Sequence, residues 1–158
     1  MIPVNVKGVA YDVTGNPIIL LTDQEEERVL PIWVGLLEAH SIAVALENVI
    51  MPRPLTHDLL RNICEQLGAK ISRVVITDLR ENTFYAEIHL LLPNKEMIID
   101  SRPSDAVALA LRTAAPVYLN EKLSSQMLFI KDLIDEEAIE ELNRVKDTLS
   151  KEHKKILH

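Results

Sequence analysis

The sequence has a single cysteine, Cys64, and only four glycines among its 158 residues. One cysteine cannot form an internal disulfide, which predicts a reducing compartment and therefore a cytoplasmic protein. Four glycines are too few for a glycine-built phosphate loop, and neither GxGxxG nor the P-loop pattern occurs. The patterns GxSxG, CxxC and HExxH are missing as well, so no common catalytic signature identifies a chemistry.

Long apolar runs are also absent from the sequence. The longest, from Ala106 to Leu111, has six residues, whereas a transmembrane helix needs about 20. The first residues, MIPVNVKGVAYDV, show no basic segment followed by an apolar one. We therefore expect neither a signal peptide nor a membrane partner.

Positive charge and aromatic side chains are scarce. The formal net charge is −7, which argues against a protein that coats nucleic acid, since such proteins neutralise phosphates with clustered Lys and Arg. An enzyme that grips a short stretch of nucleic acid is still compatible with this charge. One Trp, three Tyr and two Phe are too few for a stacking platform for single strands.

The composition that is present is an ordinary globular one, with 47% hydrophobic and 26% charged residues. Such a chain can fold as one domain without disulfides or metal. Alternating and β-branched patterns predict strands within 4–34 and 71–100 and at 116–119, and helical spacing predicts helices over 35–50, 57–67 and 101–114. We predict an α+β domain over 1–127, with a mixed sheet and helices packed mainly on one side, followed by a C-terminal helical tail over 128–158.

The helix predicted over 57–67 has signals at both ends. Thr56 is suited to the N-cap and Gly68 to the C′ position. Its apolar residues recur at helical spacing and are expected to be buried: Leu60, Ile63, Cys64 and Leu67. Cys64 is therefore expected to be a core residue and not a nucleophile.

A first polar cluster stands at the start of this helix. A helix N-terminus attracts phosphate, and Arg53 could add a bidentate contact. His57 could act as a general base and Asp58 as a metal ligand. The alternative is structural: Thr56 caps the helix, Asp58 complements its dipole, and His57 is simply exposed.

A second polar cluster, Asp100 to Asp105, precedes the helix predicted over 101–114. Its carboxylates are the hard ligands that Mg²⁺ or Mn²⁺ needs for phosphodiester chemistry. The alternative is a clamp between Arg102 and a carboxylate, with a serine cap and Pro103 in the first turn. Glu38, on the helix over 35–50, is expected to be solvated or salt-bridged.

Four segments carry a resemblance to a known family. They are LPIWVG with the following Glu38-Ala39-His40, PRPLTHDLL over 52–60, TFYA over 83–86, and IDSRPSDA over 99–106. In this order they resemble the bifunctional nuclease domain family, over roughly residues 1–125. Some members continue into a helical UVR module, which the tail here does not clearly match.

The resemblance implies an α+β domain, often homo-oligomeric, with nuclease activity on DNA and RNA. Combined with the residue chemistry, it predicts a phosphodiesterase that depends on Mg²⁺ or Mn²⁺. The metal would be held by Asp58, Asp100 and Asp105, and His57 would activate water or protonate the leaving oxygen.

In the same interpretation Arg53 and Arg102 would bind phosphate. The alternative is a non-catalytic regulatory or ligand-binding module, also homo-oligomeric, in which the charged clusters are structural or bind an anion. The negative net charge and the missing nuclease motif favour this alternative, while the resemblance favours the enzyme.

Overall fold

The computed structural model describes residues 1–133 together with Arg144, Asp147, Thr148 and Lys151. These four later residues are helical, as the expected C-terminal helix requires. The rest of the tail helix, predicted from Asp135 onward, lies outside the described residues. No helix within the described part is long and apolar enough to cross a membrane.

Eight strands of the described part form a single sheet. In chain order they are β1 (Ile2–Tyr11), β2 (Pro17–Asp23), β3 (Arg28–Trp33), β4 (Lys70–Arg80), β5 (Thr83–Leu91), β6 (Glu96–Ser101), β7 (Val117–Leu119) and β8 (Leu128–Phe129). Their order across the sheet is β6-β5-β4-β7-β1-β2-β3-β8. Because β8 pairs with β3, the sheet extends two residues beyond position 127, where we placed the domain boundary.

The sheet is mixed, as predicted. β4 and β7 pair in parallel, and the other neighbouring strands pair antiparallel. Antiparallel strands can follow one another through short turns, whereas a parallel pair needs a crossover connection. Here a helix lies between β6 and β7 and forms part of that crossover.

The described helices are α1 (Leu36–Leu46), α2 (Thr56–Gln66), α3 (Pro103–Thr113) and the short α4 (Ile130–Leu133), with a 3-10 helix over Glu121–Gln126. The crossover helix α3 contacts β4 and β5 and also both α1 and α2. It buries seven of its eleven residues, among them a run from Ala106 to Ala110. The small alanines allow close packing on the sheet, so α3 is the central helix of an α+β fold.

The end of α1 differs from the expectation. The helix ends at Leu46 and not at residue 50, where the helical spacing predicted its end. Asn48 adopts a left-handed backbone conformation with φ of 53°. Asparagine tolerates this conformation better than most residues and so ends a helix before a proline is reached.

α2 confirms the predicted C-terminus and corrects the predicted burial. Gly68 has φ of 72°, and its N–H bonds to the Glu65 carbonyl while Ala69 bonds to Cys64, the two bonds of a Schellman motif. The N-cap is Leu55 and not Thr56, which is the first helical residue.

Three of the four apolar residues predicted to be buried are largely exposed: Leu60 by 41%, Ile63 by 46% and, just after the helix, Leu67 by 72%. The fourth, Cys64, is half-buried and packs against the core. The reason for the exposure is that α2 packs chiefly on α3, which separates it from most of the sheet. The buried residue of α2 is instead His57. The helical periodicity identified an apolar face of α2, but it could not show that no other helix or strand of the described part packs on that face.

We expect deletion of residues 135–158 to leave the body folded. The eight strands and α1 to α3 all precede this segment, and the buried hydrophobic residues found in the described part lie between Val4 and Met127. Thermal melting followed by circular dichroism should show a cooperative transition within a few degrees of the full chain's. Loss of cooperative melting would show that the tail belongs to the core.

Candidate active site

The N-termini of α2 and α3 meet beside the middle of α1. They border an open groove of about 1070 Å³. Its polar end is lined by Glu38, Ser41, His57, Arg102 and Asp105. Its apolar wall is formed by side chains of α2, α3, β5 and β6, among them Leu60, Cys64, Ile88, Ile99 and Leu109.

His57 is buried, with 8% of its surface exposed, and is held at both ring nitrogens. Nε2 lies 2.9 Å from Asp105 Oδ1, and Nδ1 lies 2.7 Å from Ser41 Oγ. A carboxylate can only accept, so the neutral ring carries its proton on Nε2, and Nδ1 accepts the Ser41 hydroxyl. Serine, histidine and aspartate therefore form one hydrogen-bonded chain.

Asp105 is held by Arg102 as well as by His57. Arg102 Nε donates to Oδ2 at 2.8 Å and Nη2 to Oδ1 at 3.1 Å, the clamp that the sequence offered as an alternative. Burial works to raise the pKa of Asp105, but the hydrogen bonds from Arg102 and His57 outweigh it and lower that pKa below its ordinary value. Asp105 is therefore ionised at neutral pH.

A ridge of two residues, Glu38 and Arg102, borders the polar end of the groove. Arg102 Nη1 donates to Glu38 Oε1 at 3.0 Å, so Glu38 is salt-bridged, one of the two states expected of it. The hydrogen bonds to Asp105 and then Glu38 raise the pKa of Arg102 above its usual range. Its side chain is 62% exposed, so the guanidinium still faces solvent.

Asp58 lies next to His57 in sequence but faces a different partner. Its Oδ1 accepts from Arg112 Nε at 2.8 Å and its Oδ2 from the Leu55 backbone N–H at 2.8 Å. Burial raises the pKa of Asp58, but these two hydrogen bonds lower it by more. Arg112 also donates to the backbone oxygens of Ala108 and Ser41. This buried pair ties α2 and α1 to α3.

Asp100 borders the groove but directs its side chain away from it. In β6 it pairs with Glu87 of β5, whereas its neighbour Ile99 lines the groove. Successive side chains of a strand point to opposite faces, so the Asp100 carboxylate lies with Glu87 on the other side of the sheet. There its charge adds to the pKa-raising effect of Asp78 on Arg80.

The structure thus brings together three of the six predicted site residues: His57, Arg102 and Asp105. Arg53 is exposed in the loop before α2 and does not line the groove. Asp58 lies against Arg112, and Asp100 lies on the opposite face. Within the described residues, no three His, Cys, Asp or Glu side chains converge as a metal-binding group.

Two contributors were missed from the sequence: Ser41 and Arg112. Helical spacing could have found both, since Glu38 and Ser41 are three apart on α1 and Asp105 and Arg112 are seven apart on α3. Each pair therefore shares a helix face. Which neighbouring helix that face meets has no signal in the sequence.

We expect Gly35→Ala to break the contact between Glu38 and Arg102 while both residues keep their charges. A Cβ at position 35 would collide with the Glu38 carboxylate, which must then move from Arg102. With one carboxylate fewer beside it, the exposed Arg102 guanidinium should bind an anion more tightly, so the Kd for inorganic phosphate should fall several-fold at low salt. Stability should change by no more than about 1 kcal/mol, because the pair is exposed.

The matched control for this variant is Gly8→Ala, where an added Cβ meets nothing within 4 Å. Isothermal titration calorimetry with inorganic phosphate measures both Kd values. Equal values for the two variants would contradict the expectation that Glu38 competes with an anion for Arg102.

The described part of the chain is an α+β domain that gathers a histidine, an ionised carboxylate and an arginine in one groove. A comparison with protein-family models finds the bifunctional nuclease domain over residues 19–131, which is more than half of the chain. The chain belongs to the bifunctional nuclease domain family, as the sequence resemblance indicated.

Individual relatives support the same assignment. An uncharacterized protein of Mycobacterium tuberculosis is 43% identical over 137 residues, covering 85% of this chain and 82% of its own. Bifunctional nuclease 1 of Oryza sativa is 28% identical over 112 residues, and bifunctional nuclease 2 of Arabidopsis thaliana is 26% identical over 112 residues. Each match covers 69% of this chain but 34% of the plant protein, so this chain corresponds to about a third of those proteins.

Proposed function

We propose that this protein is a nuclease that hydrolyses phosphodiester bonds in DNA and RNA at the groove between α1, α2 and α3. The observation that carries the proposal is the chain of Ser41, His57 and Asp105 beside Arg102 in an open groove. Family membership and the names of the plant relatives supply the substrate class.

In the proposed reaction His57 gains a proton at Nδ1, the ring nitrogen that now faces Ser41 Oγ. A water in the groove passes its proton through the Ser41 hydroxyl to this nitrogen and attacks phosphorus. Asp105, ionised and bonded to Nε2, stabilises the imidazolium that forms. The proton on the ring is then available for the leaving oxygen.

Arg102 is the phosphate contact in this proposal. Its guanidinium is exposed and stands next to Asp105, but two carboxylates already pair with it. Binding a phosphate therefore requires Glu38 or Asp105 to give up part of its contact. This competition predicts weak binding, and because one arginine makes the phosphate contact, the affinity should fall only gradually with salt.

The expected need for Mg²⁺ or Mn²⁺ stays a prediction. The three carboxylates predicted to hold the ion point to three different places, so as arranged they do not fit a shared metal site. A divalent cation would supply charge stabilisation and a more acidic water.

The experiment is an incubation of the full chain with supercoiled plasmid and with RNA, each with Mg²⁺, with Mn²⁺ and with chelator. We expect the unmodified chain to cleave both nucleic acids and the His57→Gln variant to cleave neither. Cleavage that survives chelation would contradict the predicted dependence on a divalent metal ion. Absence of cleavage under every condition would overturn the proposed nuclease activity.

The second candidate is a non-catalytic module that binds a ligand or regulates a partner. The observation in its favour is that the charged side chains of the groove already pair with one another: Arg102 is bound to both Glu38 and Asp105. Such internal pairing is typical of a structural network. Retained binding without cleavage in the incubation above would favour this candidate.

For either candidate we propose a homo-oligomer. β6 is an edge strand whose apolar residues Met97, Ile98 and Ile99 are 40–60% exposed, and α2 exposes a further apolar face. Exposed apolar edges of this kind lead to association with another chain. Light scattering after gel filtration should give a mass above 17.9 kDa, and Ile98→Lys should lower it.

A further inference from the structure

A smaller pocket of about 320 Å³ adjoins the groove on the other side of the ridge. The residues that line it include two aromatic ones, Trp33 and Phe84, and Asn82. Glu38 and Arg102 line both this pocket and the groove. The ridge is therefore the shared wall between a polar hydrolytic site and an aromatic pocket.

The chemistry of the pocket matches a planar heteroaromatic ligand. Aromatic side chains stack on such rings, and a carboxamide offers both donor and acceptor to their edges. Its volume is at the lower end of the range for small-molecule sites, which suits one ring system and not a larger ligand.

Trp33 is held in place although it is exposed. The indole is 56% exposed, yet its Nε1 donates to Asp12 Oδ2 at 3.0 Å. Asp12 is fixed in turn by hydrogen bonds from Thr14 and Asn16. Because the ring is already ordered, a stacking partner would cover apolar surface with little further loss of side-chain entropy.

We propose that this pocket binds one unpaired nucleobase of the nucleic-acid substrate, next to the phosphate that is cleaved. The assignment rests on the proposed nuclease function for its ligand class. With a base between Trp33 and Phe84, the phosphate of the same nucleotide reaches the ridge at Arg102, beside Asp105 and His57.

The pocket seats a single base. The other four aromatic residues, Tyr11, Tyr85, Tyr118 and Phe129, do not line it. This agrees with the argument from composition that the protein has no extended stacking platform. A paired base cannot enter, so the proposal predicts a preference for single strands and loops over intact duplex.

The single tryptophan of the chain is itself the probe. Trp33 fluorescence is titrated with adenosine monophosphate and, separately, with ribose 5-phosphate, which has the same sugar and phosphate but no base. We expect saturable quenching by adenosine monophosphate and none by ribose 5-phosphate. Equal responses to the two compounds would overturn the base site.

Two variants with the same substitution sharpen the test. Phe84→Leu removes one stacking face and should raise the Kd for adenosine monophosphate by about fivefold to a hundredfold. Phe129→Leu, outside the pocket, should leave it unchanged. Melting curves establish that both variants fold, and an unchanged Kd in a folded Phe84→Leu protein would contradict the proposal.

Failure of the base site and failure of the nuclease are distinguishable. If the protein cleaves plasmid and RNA but adenosine monophosphate does not quench Trp33 fluorescence, the nuclease proposal holds and the base site is overturned. A chain that binds adenosine monophosphate and cleaves nothing keeps the base site and loses the nuclease. Absence of both responses overturns both.

Discussion

Asp105→Asn is expected to reduce cleavage by about 10²- to 10⁴-fold, the range typical of a lost acid–base group. The carboxamide keeps the shape but cannot stabilise a positively charged His57, and its NH₂ group can face Nε2 and reverse the ring tautomer. Arg102 loses one of its two charged partners in the same change. His57→Gln should have a comparable effect. The measurement is the rate of plasmid and RNA cleavage at matched concentrations of folded protein.

Asp100→Asn is the matched comparison for this prediction. It is the same substitution five positions earlier, on a carboxylate that faces the other side of the sheet with Glu87. With Asp100 on the opposite face of the sheet, we expect Asp100→Asn to cleave at close to the rate of the unmodified protein. If Asp58, Asp100 and Asp105 instead shared a metal ion, the loss would be as large as for Asp105→Asn. Equal losses in the two variants would favour the shared metal site over the arrangement described above.

The second large effect is expected on stability, from Asp58→Ala. The Arg112 side chain is 4% exposed and the Asp58 side chain 22%. Removing Asp58 leaves a buried guanidinium without its carboxylate, a change that costs about 3–5 kcal/mol in comparable pairs. Because Asp58 is partly exposed, we expect a loss of unfolding free energy at the lower end of this range, about 3 kcal/mol. Urea denaturation of both proteins measures it.

The same pair predicts how stability depends on pH. Because the pKa of Asp58 is lowered in the folded state, its contribution is present above the ordinary value of 3.8 and is lost as pH falls through the folded-state pKa. The unmodified protein should therefore lose more unfolding free energy on acidification below about pH 4 than Asp58→Asn. Denaturation series at several acidic pH values compare the two slopes.

The controls for Asp58 separate structure from catalysis. Asp78→Asn weakens the pairs with Arg80 and Lys122, whose side chains are exposed and can turn to solvent, and should cost no more than about 1 kcal/mol. Folded Asp58→Asn should cleave nucleic acid at close to the normal rate, because the residue faces Arg112 and not the groove. If Asp58→Asn were fully stable but inactive, Asp58 would have a direct role in the reaction.

Local patterns determined much of the fold. Alternation in 83–92 and the β-branched run in 71–79 predicted β5 and β4, since the period of two is a property of the strand itself. Gly68 predicted the end of α2, because few other residues adopt its backbone conformation without strain. The resemblance carried by PRPLTHDLL and IDSRPSDA identified the family and the two segments that form the polar end of the groove.

The partners of the polar residues were decided only by the tertiary structure. Asp58 and Asp105 each stand in the first turn of a helix, and the sequence alone treats them alike. Asp58 meets Arg112 at a separation of 54 residues, and Asp105 meets His57 at a separation of 48. Helical periodicity fixes which residues share a face, but the packing of α1 and α2 on α3 fixes what that face contacts. That packing follows from burying the whole chain's apolar surface at once, which no local pattern encodes.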